Sequence, residues 1–105
     1  MIVKVIADHA GEGKFPTFKA GTQVLMGEDC KHFIGWSACE IDGHATYVPK
    51  LFVSGGKLTK DYNPTELVQE AGDVLHVNEI VHSWLIATNE KGVMGWFPAE
   101  SVVSI

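Results

Sequence analysis

A repeat with a period near fifty residues constrains this chain more than any other feature. The first half carries Asp8, Ala20-Gly21, Glu28, Trp36, Gly43 and Val48-Pro49, with Val53 four residues after the proline. The second half carries Asp61, Ala71-Gly72, Glu79, Trp84, Gly92 and Phe97-Pro98, with Val102 at the same offset. Asp to Gly is thirteen residues against eleven, Gly to Trp fifteen against twelve, and Trp to Pro thirteen against fourteen. Length differences of that size belong in loops. The chain therefore reads as two copies of one small unit, at 1–54 and 57–105, each at the lower edge of the size that supports a core of its own.

Both copies read as β structure. Apolar positions alternate in short runs, and no stretch sustains the i, i+3, i+4, i+7 pattern of a helix. Val24 with Met26, and Leu75 with Val77, are period-two pairs expected to face a core. Asp42-Gly43, between the runs Trp36–Ile41 and His44–Val48, is a two-residue hairpin signal requiring positive φ. Asn89-Glu90-Lys91-Gly92 is its longer counterpart. Ser54-Gly55-Gly56 is expected to join the two copies. Alternation places Val48 and Phe97 inside and their neighbours Tyr47 and Trp96 outside.

Each copy thus runs as a short strand, a long loop ending in Ala-Gly, a strand, a Trp-led hairpin, then an apolar residue with Pro and a final Val. That order resembles the Src-homology-3 (SH3) domain. The resemblance is fuller in the second copy, through Asp61-Tyr62, Glu66-Leu67, Ala71-Gly72-Asp73-Val74-Leu75-His76-Val77, Ser83-Trp84-Leu85-Ile86-Ala87 and Gly95-Trp96-Phe97-Pro98-Ala99-Glu100-Ser101-Val102. It is weaker in the first, through Ala20-Gly21-Thr22-Gln23-Val24, Gly35-Trp36-Ser37-Ala38-Cys39 and Tyr47-Val48-Pro49-Lys50-Leu51-Phe52-Val53. It implies an all-β chain of two SH3-like five-stranded barrels in tandem, each with a shallow aromatic groove for a polyproline II segment. Carried over by position, the groove of the second copy would use Tyr62, Trp84, Trp96 and Pro98. That of the first would use Trp36, Tyr47, Pro49 and Phe52. The family's groove tyrosines are replaced by Ala7 and His9 in the first copy and by Lys60 and Ser101 in the second. With bacterial SH3 modules as alternative relatives, the ligand class widens from proline-rich segments to a protein partner or a cell-wall peptide.

Charge narrows the partners further. The formal net charge is −5, and every basic residue is Lys. Nucleic-acid binding draws most of its non-specific affinity from a basic face, which argues against it here. Residues 1–54 carry five Lys against six acids and 57–105 three against seven, so the second copy holds most of the negative field. No run approaches the roughly 18 apolar residues of a membrane span. The N-terminus lacks the apolar stretch of a secretory signal, so a reducing cytoplasm is the expected compartment for Cys30 and Cys39.

The histidines and cysteines are scattered rather than paired at ligand spacing, so neither a metal nor another cofactor is expected. Cys39 falls at an inward strand position, where a free thiol acts as a small hydrophobe. His76 faces away from Leu75 and Val77, towards solvent. No nucleophile and base are fixed in register, and an enzyme is not expected. The function expected is binding of a protein or peptide through one or both aromatic grooves. The alternative is an assembly role in which the aromatic faces are buried between the copies or in a homodimer.

Overall fold

The computed structural model describes all 105 residues. They form ten strands and two 3-10 turns, with no α-helix and hence no helix long and apolar enough to cross a membrane. The strands are β1 (Ile2–Val5), β2 (Val24–Asp29), β3 (Trp36–Ile41), β4 (His44–Pro49), β5 (Val53–Ser54), β6 (Lys57–Leu58), β7 (Val74–Val81), β8 (Trp84–Asn89), β9 (Met94–Pro98) and β10 (Val102–Ser104). Two compact units result, and their composition departs from the expected 1–54 and 57–105. One, the terminal unit, consists of Met1–Lys14 together with Thr65–Ile105; the other, the central unit, is Phe15–Pro64.

The reason lies in Ser54-Gly55-Gly56. These residues are a hairpin turn inside the central unit and not a joint between copies. Gly55 and Gly56 have φ of 58° and 76°, and β5 pairs antiparallel with β6 through Val53↔Leu58 and Ser54↔Lys57. Two residues with positive φ make the turn whose twist suits a hairpin, and Gly-Gly reaches it without steric cost. The strand that opens the second copy is thereby folded back onto the strand that closes the first. The strand that opens the first copy, β1, pairs instead with β10 and β7 of the second.

In the terminal unit the five strands lie in the order β10-β1-β7-β8-β9. Val3 and Val5 of β1 alternate with exposed neighbours and join Leu67, Leu75, Leu85, Ala87 and Phe97 in one core. Burying each larger side chain stabilises by about 1.5–3 kcal/mol. The central unit also has five strands, as the three-stranded sheet β2-β3-β4 and the hairpin β5-β6. Its buried side chains include Phe18, Val24, Ile41, Val48, Phe52, Leu58 and Tyr62. Asp42 and Gly43 turn β3 into β4 with φ of 50° and 81°, as the sequence predicts.

Val24, Leu75, Val48 and Phe97 are buried as expected, and His76 is exposed. Met26 is not in the core but 43% exposed. The register of β2 against β3 shifts between Met26 and Asp29, which ends the alternation after Val24. The counterpart strand β7 shifts between Val77 and Glu79, and Val77 is only partly buried against the core. Both copies therefore carry an irregularity at the same place.

Candidate functional site: a carboxylate and two rings in the terminal unit

The exchange of first strands is reciprocal down to single hydrogen bonds. In the terminal unit Asp8 Oδ1 accepts the Ala71 amide at 2.7 Å, Gly72 N donates to Val5 O at 2.8 Å, and Val5 N donates to Asp73 O at 2.8 Å. In the central unit Asp61 Oδ1 accepts the Ala20 amide at 2.9 Å, Gly21 N donates to Leu58 O at 2.7 Å, and Leu58 N donates to Thr22 O at 2.9 Å. Each unit contains both the Asp and the Ala-Gly landmark of the repeat. The Asp comes from one copy and the Ala-Gly from the other.

Trp84 opens β8 and stays partly exposed. It comes after a tight turn in which two non-glycine residues, His82 and Ser83, hold φ of 43° and 70°. Ser83 O accepts the Ala99 amide at 2.9 Å, which ties this turn to the 3-10 turn Ala99–Ser101 after Pro98. Against Trp84 stands the imidazole of His9, edge-on with ring centroids 5.9 Å apart; the same imidazole lies 5.2 Å from the Phe97 ring. The backbone of His9 is fixed by a two-way bridge with Gln69, His9 N to Gln69 O at 2.9 Å and Gln69 N to His9 O at 3.0 Å. Gln69 is buried and held in turn by Asp73 and Asn89. The position of the His9 ring is thus anchored through its backbone.

His9 Nε2 lies 2.5 Å from Glu66 Oε1, so the ring N–H donates to a carboxylate whose side chain is only 15% exposed. Burial raises the Glu66 pKa, the hydrogen bond and charge of His9 oppose that rise, and Glu12 adds to it by repulsion. Glu66 therefore brings a negative charge to a place where water only partly stabilises it. A cation that reached it would gain accordingly.

The aromatic residues of the central unit are placed otherwise. Trp36, Pro49, Phe52 and Tyr62 are all buried, and of the four first-copy groove positions only Tyr47 is open, at 44%. Tyr62, expected beside Trp84, belongs to the central unit. Its ring meets Phe52 edge-on at 5.7 Å, and its O–H donates to Tyr47 O at 2.6 Å. Lys60 Nζ sits over the Phe52 ring, 4.6 Å from its centroid. This lysine occupies the place of one family groove tyrosine.

Trp96 is also not on the surface. It is 4% exposed, like its neighbour Phe97 at 0%, although alternation predicts that one of the two faces out. The segment after Pro64 runs alongside β9 and covers that face, with a parallel bridge between Glu66 and Trp96, Trp96 N donating to Thr65 O and Leu67 N to Trp96 O. Gly95 permits the approach, since a Cβ there would lie 3.0 Å from Thr65 O. Pro98 is buried as well. Of the eight side chains drawn from the sequence, Trp84 and Tyr47 are thus the ones open to solvent. His9 stands against Trp84, and Glu66 holds the His9 ring. His9 stands where the family has a groove tyrosine, and what concealed its partnership is that Trp84 lies in the other copy.

Cys39 is buried, and its thiol is pushed up to about 11 by that burial, which makes it unreactive at neutral pH. No group of three His, Cys, Asp or Glu side chains is placed to hold a metal ion.

Residues 56–105 match the variant SH3 domain family. Comparison with curated proteins and with solved structures finds no match. The family match supports the SH3-like character of the second copy, a domain type that serves protein interaction and is generally non-catalytic. The matched stretch includes residues 56–64, which pack in the central unit.

Proposed function

We propose that this protein is a non-enzymatic interaction module in which the terminal unit recognises a basic segment of a protein or peptide at Trp84, while the central unit, a second SH3-like module, is structural. The observation that carries this reading is the partly exposed Trp84 ring, met edge-on by His9, whose Nε2 bonds the largely buried Glu66 carboxylate, against a central unit in which Trp36, Phe52 and Tyr62 are buried. Charge supports it. The terminal unit holds three lysines against eight carboxylates and the central unit five against five, so the whole net charge of −5 belongs to the terminal unit. A field of one sign on one unit steers a partner of the opposite sign to it.

A proline-rich segment bearing Lys or Arg fits both the ring and the carboxylate; a cell-wall peptide with free amines is the second candidate. Titrating the full chain with an Arg-containing proline-rich dodecapeptide, read by Trp fluorescence, is expected to show saturable binding that falls at least about tenfold in Trp84→Ala. Binding should weaken from about 50 to about 300 mM salt. Equal binding by wild type and Trp84→Ala would exclude this surface. Burial of Trp36, Phe52 and Tyr62 takes those rings of the central unit out of a ligand's reach, and Tyr47→Ala is expected to leave peptide affinity unchanged.

A further inference from the structure

We infer that residues 1–14 are the specificity segment of the Trp84 surface, so that His9, and not Tyr62 of the matching copy, is the first-strand residue a ligand at Trp84 meets. The inference rests on the reading of Trp84 as the recognition surface and goes further by assigning the segment that shapes it. A copy folded on its own segments would make the same bonds, with Asp61 on Ala71 and Asp8 on Ala20, because both copies carry the same landmarks. Nothing in those bonds selects a partner.

The selection comes from the connection between copies. Gly55 and Gly56, both at positive φ, return the chain at once, and β6 must lie beside β5. That place would otherwise belong to β1, as the pairing of β1 with β10 shows in the terminal unit. With its place taken, β1 and the loop after it complete the other copy, and His9 arrives 5.9 Å from Trp84. Tyr62 is carried to Phe52.

Chemically the two outcomes differ. A tyrosine at this position would offer a flat neutral ring beside Trp84. His9 instead spends its N–H on Glu66 and fixes one carboxylate oxygen, which orients the group towards a ligand ammonium or guanidinium. His9 acts on the ligand both as a ring wall and as the residue that positions Glu66.

The test uses the full chain labelled with 5-fluorotryptophan, whose three tryptophans give separate fluorine resonances assigned by single Trp→Phe substitutions. His9→Gln is expected to move the Trp84 resonance, and Tyr62→Phe to leave it in place. Movement with Tyr62 and not with His9 would overturn the inference. Nuclear Overhauser effects between the His9 ring and the Trp84 indole protons in the unsubstituted protein are expected and need no variant; their absence would equally overturn it. Titration with decalysine should then show affinity about tenfold weaker in His9→Gln and within about twofold of wild type in Tyr62→Phe. Equal losses in both variants refute the specificity role. A wild-type chain that ignores decalysine refutes the basic-ligand reading by itself, because the resonances still decide which segment faces Trp84.

Discussion

The terminal and central units are built from the same landmarks, yet they differ in what they leave at the surface. The terminal unit keeps Trp84 partly open against His9, which bonds a largely buried carboxylate, and carries the chain's entire net charge. The central unit is neutral, places Lys60 over Phe52 and buries Trp36. The same landmarks can therefore carry unequal surfaces. What distinguishes them is a few side chains at matched positions, His9 against Tyr62 and Glu66 against the acid-free stretch before Ala20.

Core truncation should separate the two units most strongly. Phe97 is fully buried, and Phe97→Ala should cost the terminal unit about 3–5 kcal/mol. Val48→Ala in the central unit should cost about half as much, having less volume to lose. Amide hydrogen exchange read unit by unit checks whether each loss stays in its own unit. A loss shared by both would show that the two fold as one.

The turn at Gly55-Gly56 is next. Inserting ten Gly/Ser residues there lengthens a two-residue loop about sixfold, and loop closure alone should then cost about 1.6 kcal/mol of the β5-β6 hairpin. The longer loop also frees each copy to close on its own first strand. The His9 to Trp84 proton contacts should weaken in proportion, and chemical denaturation should show the stability loss.

A smaller change, of opposite sign, is expected at the turn before Trp84. Ser83 holds φ of 70°, a region that costs a non-glycine residue about 1 kcal/mol. Ser83→Gly should stabilise the terminal unit by that order in thermal unfolding, and no matching gain is available before Trp36, where Gly35 already stands with φ of 94°.

The smallest effect separates the units by pH. Glu66 has its pKa raised above 4.5 by burial, so the folded state binds that proton more tightly than the unfolded chain does. Its contribution is favourable in acid and is lost as the pH rises from 4.5 through the folded value. Glu66→Gln should remove this decline. Asp61 has the opposite sign: the Ala20 amide, and then Lys19, lower its pKa below 3.8, so its contribution is lost only as the pH falls below that value. Urea unfolding of wild type and Glu66→Gln between about pH 4 and 7 measures the difference.

Much of this was legible in the residues. The repeat of Asp, Ala-Gly, Trp and Pro, the alternation in Val24 and Leu75, and the Asp42-Gly43 turn all come from local chemistry, and they define two small all-β units. Local chemistry also determines that Cys39, Val48 and Phe97 lie inside. The burial of Trp96 was not legible, because it depends on Glu66 and its neighbours, distant in sequence, lying along β9.

The repeat alone determines how many units form and what each requires. It does not determine which first strand completes which unit, because equivalent Asp and Ala-Gly bonds are available either way. That choice is visible only in three dimensions, where a two-residue turn sets β6 beside β5 and β1 pairs with β10 and β7. The same choice sets the His9 ring 5.9 Å from Trp84 and the Tyr62 ring 5.7 Å from Phe52.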